Sequence, residues 1–110
     1  MSDHADQLMS ARAFAFVSDH LGVTPKELKS KSRVASLVTA RALFVWIIRT
    51  YRSTASYPEI GRMLGDRDHT TIMHLWTKAC MLTERDPDFR LLSERFAAEE
   101  RHGGGLHACA

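Results

Sequence analysis

The residues best suited to chemistry in this chain stand together as Asp68-His69-Thr70-Thr71. They are polar, mostly short side chains at the expected start of a helix. A threonine placed there can touch a thymine methyl or exchange hydrogen bonds with a base edge, and an aspartate can accept from a cytosine amino group. The same aspartate can also serve only as an N-cap, with His69 and Thr70 as solvated first-turn residues. Other chemistries find less support. His69 and His74 are five positions apart and fall on different helix faces, which does not suit the tetrahedral demands of a shared metal. His102, His107 and Cys109 carry metal-binding atoms but lie in or beside a terminal stretch, 103–110, that reads as a flexible tail. Spacing brings out no Ser-His-Asp or Cys-His arrangement. The reading is of no catalytic residue, no metal site and no cofactor. Cys80 reads as a small core residue, and Trp46 and Trp76 as packing.

The elements that must hold Asp68–Thr71 in place are a series of helices. Residues 7–20, with Leu8, Ala11, Phe14, Ala15, Val17 and Leu21 at three- and four-residue steps, read as an amphipathic helix stopped by Gly22. Thr24-Pro25-Lys26-Glu27 is a capping box with proline at the first helical position, which predicts a short helix ending near Ser30. Residues 30–36 are polar and basic and read as a loop. The apolar run over 37–52 is too long for a strand and predicts a central, buried helix. Ser56-Tyr57-Pro58-Glu59 is a second capping box, opening a short helix through Ile60, Met63 and Leu64 that stops at Gly65. Asp68 opens a helix from His69 to about Glu84, with Ile72, Leu75, Trp76, Ala79 and Leu82 inward. Thr70, Thr71, His74, Thr77 and Lys78 are then left on its other faces. Asp86-Pro87 caps a last helix, with Phe89, Leu92 and Phe96 toward the core.

A short helix, a glycine turn and a second capped helix over about 57–84 have helix-turn-helix spacing. This layout lets the second helix project its first turn into the major groove while the first braces it across the backbone. Two capped helices around a glycine also occur in proteins that never touch DNA. The charge distribution bears on the choice. The net charge of +2 hides a middle section, residues 24–78, that carries +6 between two ends of −2 each. A basic surface attracts phosphates irrespective of base sequence. The whole is expected to be one all-α domain, 1–102, followed by the tail. Its longest apolar run, Ala42–Ile48, is far short of the roughly 20 residues of a membrane span. The acidic start lacks the pattern of a signal peptide, and two cysteines are too few for a disulfide scaffold. A cytoplasmic, nucleoid-associated location is expected.

The stretch Tyr57-Pro58-Glu59-Ile60-Gly61-Arg62-Met63-Leu64-Gly65-Asp66-Arg67-Asp68-His69-Thr70-Thr71-Ile72-Met73-His74 resembles the signature of the DnaA family of bacterial replication initiators. The resemblance runs from about Phe14 to Phe96 and concerns only that family's C-terminal DNA-binding domain, domain IV. It implies an all-helical, Trp-repressor-like fold and the reading of a short asymmetric site, the DnaA box, by a monomer. It implies base reading in the major groove by Asp68, His69 and Thr70, with Thr71 beside them, and entry of Arg33 into the minor groove. It places Arg41, Arg67, His74 and Lys78 at or beside phosphates.

This chain also departs from the family pattern. Ala35 and Thr39 stand where basic residues are common, and Asp66 replaces the second glycine of the usual Gly-Gly-Arg turn. A carboxylate close to phosphates is repelled in a salt-dependent way, so weaker DNA binding is expected. The chain also has no Gly-x-x-x-x-Gly-Lys-[Ser/Thr] loop to cradle a triphosphate. A DNA-binding module or fragment is therefore expected rather than an initiator. Two functions follow. The first is sequence-specific duplex binding that regulates replication initiation or transcription. The second is an interaction decoy toward the initiator or its regulators, with little specific DNA binding.

Overall fold

The structure, a computed structural model, describes residues 4–102. Six α-helices follow in order: α1 (His4–Leu21), α2 (Pro25–Lys29), α3 (Ala35–Tyr51), α4 (Tyr57–Met63), α5 (His69–Arg85) and α6 (Pro87–His102). No strand occurs among the described residues, and no helix among them is long and apolar enough to cross a membrane. The tail 103–110, with His107 and Cys109, lies outside the described residues, as does the side chain of His102. Among the described residues no cluster of metal-ligating side chains occurs.

The two capping boxes form as their sequences require. The Thr24 hydroxyl accepts from the Glu27 N–H at 3.0 Å, while the Glu27 carboxylate accepts from the Thr24 N–H at 2.9 Å. At α4 the Glu59 N–H donates to the Ser56 hydroxyl at 3.2 Å and the Ser56 N–H donates to the Glu59 carboxylate at 2.7 Å. Asp86 caps α6 by accepting from the Asp88 and Phe89 N–H groups. Each bond satisfies a donor that the first helical turn would otherwise leave without a partner.

The hydrogen bond from the Ser56 backbone, then that from its hydroxyl, holds the Glu59 carboxyl below its ordinary pKa of 4.5. A carboxyl whose folded pKa is depressed contributes stability that is present above its unfolded pKa and lost as pH falls through the folded value. Glu59→Gln is therefore expected to melt with a shallower dependence on pH below about 4.5 than the unaltered chain, measured by thermal denaturation at stepped acid pH. Parallel curves would show that the carboxylate is not a source of acid sensitivity.

Helix α3 is the centre of the fold. Leu43, Phe44, Val45, Ile47 and Ile48 have no solvent exposure, because α1, α2, α5 and α6 all pack around it. Helix α5 lays Ile72, Leu75 and Ala79 on α3, with Trp76 and Leu82 partly buried beside them, on the face the spacing predicts. Phe89 and Phe96 of α6 are buried, and Phe96 meets Phe16 of α1 edge to face at 5.1 Å. Cys80 is half-buried rather than central, and burial beside Glu84 pushes its thiol pKa up.

Helix α1 turns only part of the face read from its spacing to the core: Val17 is buried, and Phe14 and Leu21 pack against the core. Leu8 is 53% exposed, and Ala11 and Ala15 are exposed as well. The buried residues include Met9, Ala13, Phe16 and Val17. Apolar residues occupy most of this helix's circumference, so periodicity alone leaves two candidate stripes. Packing favours the stripe with the larger Met9 and Phe16, because burying more apolar area is worth more. It also brings Asp6 against Arg52 at the end of α3, at 2.6 Å.

Candidate nucleic-acid interface

The turn between α4 and α5 is shaped by close backbone approach. A Cβ on Gly61 would overlap the carbonyl oxygen of Arg67, whose N–H in turn donates to the Gly61 carbonyl at 2.9 Å. Gly65 has φ +84°, and a Cβ there would lie 2.6 Å from the Lys29 carbonyl oxygen. Glycine alone meets both demands. Asp66 follows at φ +61°, a left-handed conformation that Asp and Asn tolerate better than most residues.

The first turn of α5 leaves its polar side chains available. Asp68 occupies the N-cap position, but its side chain makes no cap hydrogen bond. Its carboxylate, 67% exposed, lies 3.4 Å from Nδ1 of His69, itself 56% exposed. Thr70 and Thr71 are exposed. The helix is held here by backbone bonds instead, from the Thr71 and Ile72 N–H groups to the Asp68 carbonyl. Hence the capping role open to Asp68 by its position is not the one its side chain takes. His74 and Lys78 continue the row from Thr71 at helical steps of three and four; His74 is exposed and Lys78 half-buried.

Beside this turn runs the loop of residues 30–34, folded by hydroxyl contacts from Ser30 to the Ser32 N–H and from Ser32 to the Val34 N–H. It presents Arg33 to solvent. A cleft of about 520 Å³ separates the loop from α5, and Arg33, Arg67 and Thr71 all line it. Lys29 and Lys31 line the same cleft. The basic loop read over residues 30–36 contained Lys31, while Lys29 is the last residue of α2, and single-residue matching to a signature passes over both. Asp66 stands on the cleft as its only carboxylate among the lining residues.

Arg41 lines the same cleft but turns its guanidinium inward, to carbonyls rather than to solvent. It is 3% exposed, and its guanidinium donates to the carbonyls of Leu28, Ser32, Ser30 and Glu27 at 2.7–3.1 Å. The physical cause is the end of α2 and the loop after it, where carbonyls that do not continue a helical ladder gather as acceptors. Arg67 is partly buried and donates to the carbonyls of Leu64, Ser30 and Leu28. Burial lowers both guanidinium pKa values, and for Arg41 the neighbouring Arg67 charge adds to the effect. Both stay charged at neutral pH, as arginine does in proteins.

Comparison with known proteins agrees with this layout. The family described as "Bacterial dnaA protein helix-turn-helix" matches residues 12–78. The chromosomal replication initiator protein DnaA of Aliarcobacter butzleri is 36% identical over 78 residues, which are 71% of this chain and 18% of that protein. The DnaA protein of Thermus thermophilus is 40% identical over 70 residues, 64% of this chain and 16% of that protein. That of Gloeobacter violaceus is 34% identical over 90 residues, 78% of this chain and 20% of that protein. This chain thus spans a fifth or less of the length of these relatives. No solved structure matches it. With a match over more than half of its residues, the chain belongs to the helix-turn-helix family of bacterial DnaA proteins, a DNA-binding family of replication initiation.

Proposed function

We propose that this chain binds duplex DNA at DnaA-box-like sites as a monomer and thereby regulates replication initiation or transcription. The observation that carries the reading is the start of α5, where Asp68, His69, Thr70 and Thr71 are exposed and the Asp68 carboxylate makes no cap hydrogen bond. Such a turn fits the major groove. Arg33, across the cleft, fits the adjacent minor groove, whose negative potential favours arginine. The sugar–phosphate strand between the two grooves then passes through the cleft, beside Lys29 and Lys31. His74 and Lys78 extend the contact along the backbone. The test is fluorescence anisotropy with a duplex carrying one DnaA box and a scrambled duplex, at several salt concentrations. A preference for the box supports the reading. Equal binding to both duplexes, abolished by moderate salt, sinks it.

A second reading is favoured by Asp66, a carboxylate on the rim of the basic cleft. In that reading the chain is a decoy that engages the initiator or its regulators. Asp66→Asn separates the two, because asparagine keeps the left-handed backbone and removes only the charge. A DNA binder is expected to gain affinity for box and scrambled duplex alike, about fivefold at low salt, since one unit charge a few Å from a phosphate in water is worth about 1 kcal/mol. The gain should fade as salt rises. A decoy gains nothing.

A further inference from the structure

Two arginines converge on one short loop. Leu28 and Ser30 each offer a carbonyl that both side chains share. Arg41 reaches them from α3, with Nε to Leu28 at 2.8 Å and Nη2 to Ser30 at 2.8 Å. Arg67 reaches them from the α4–α5 turn, with Nη1 to Leu28 at 3.3 Å and Nη2 to Ser30 at 2.5 Å. Arg67 also holds its own turn, through the Leu64 carbonyl at 2.5 Å. We infer that Arg41 and Arg67 form a clamp that fixes the loop carrying Arg33 to the helix-turn-helix turn, and so sets the spacing between the minor-groove and major-groove readers. This inference rests on the DNA-binding reading above, and it assigns both arginines to positioning rather than to phosphate.

The chemistry favours guanidinium for the task. Its planar fork holds five N–H donors in fixed directions, and Arg41 commits its Nε and both terminal nitrogens to the carbonyls of residues 27–32. A lysine carries its three donors on one freely rotating nitrogen and does not reproduce the fixed fork that meets Leu28 and Ser30. Residues 30–34 have no helix of their own. Bonds from Ser30 to the Glu27 carbonyl and from the Leu37 and Val38 N–H groups to the Val34 carbonyl anchor the two ends of the loop, and between them run short contacts within it. Without the clamp, Arg33 would move independently of α5. The two halves of the site would then be ordered only on binding, which weakens discrimination without removing a charge from the DNA surface.

The test uses Arg67→Gln and Arg67→Lys in the full chain, with circular dichroism to establish that each folds. In the free protein, amide hydrogen exchange over residues 28–34 is expected to speed up in both variants while α3 and the body of α5 stay protected. On DNA, Arg67→Lys, which keeps the charge that lines the cleft, is expected to lower the preference for the box about tenfold, the size of one lost base contact, with the slope of log affinity against log salt unchanged. Combined with Arg33→Ala it should cost little more than Arg33→Ala alone, because both act through one element. A slope shallower by about 0.9, the signature of one lost phosphate contact, would overturn the clamp. Additive losses or unaltered loop exchange would do the same. If the unaltered chain shows no preference for the box, the DNA reading fails separately, and loop exchange alone decides whether the arginines hold the loop. If Arg67→Gln does not fold, Arg67→Lys carries the exchange test as well.

Discussion

Replacing His69 and Thr70 by alanine is expected to bring affinity for a DnaA-box duplex down to that for a scrambled one. Each lost base contact costs about 1–3 kcal/mol, or about 5- to 150-fold. Both side chains are exposed in the first turn of α5, so the fold has little reason to respond. A surface substitution away from caps and core usually changes stability by less than about 0.5 kcal/mol. The salt slope should also stay as it was, because neither residue is assigned to a phosphate in this reading. Lys78→Ala is the informative contrast. It should weaken box and scrambled duplex alike and reduce the slope by about 0.9. Anisotropy titrations of the three chains at several salt concentrations distinguish these outcomes. A double variant that still prefers the box would remove base reading from the start of α5 altogether.

Gly61→Ala is expected to destabilise this fold much more than Gly22→Ala does. The new Cβ would overlap the Arg67 carbonyl oxygen, a backbone atom that cannot rotate away, with Ile72 Cγ1 next behind it at 3.6 Å. Relief requires α4 and the start of α5 to move apart. That movement strains the bond from the Arg67 N–H to the Gly61 carbonyl and draws the Arg67 side chain off the loop it holds. Overpacking of this kind costs about 1–3 kcal/mol, occasionally more. For a domain of this size each kcal/mol lowers the melting temperature by about 4–8 °C. Gly22→Ala is the matched control. No atom lies within 4 Å of a Cβ there, and only its φ of +67° resists the change. A thermal melt of both variants checks the ranking. If Gly61→Ala melts no lower than Gly22→Ala, the close approach of α4 to the Arg67 backbone does not constrain the turn. Where Gly61→Ala remains folded, box affinity should still fall, because α5 no longer sits at its original angle to α4.

The helices were legible because their signals are local. Both capping boxes join residues three apart, and each forms as the sequence implies. The inward faces of α5 and α6 were legible too, since each has one apolar stripe. Helix α1 was not, because its apolar residues do not define a single stripe. Only the position of α3 beside it chooses Met9 and Phe16 over Leu8 and Ala11.

At the site the division is the same. The sequence by itself determined the helix-turn-helix, the polar start of α5 and the basic loop, since these depend on residue type and short spacing. It could not separate an arginine that faces solvent from one that faces carbonyls. Arg33 and Arg41 are both basic residues near one loop, yet one is exposed and the other buried. The partners that decide this for Arg41 lie 9–14 residues away along the chain, and those for Arg67 on the loop lie 37 and 39 residues away. Tertiary structure alone brings the end of α2 under both guanidinium groups. The carbonyls there and the guanidinium groups satisfy one another, because an arginine withdrawn from water is tolerated only where acceptors meet its N–H groups.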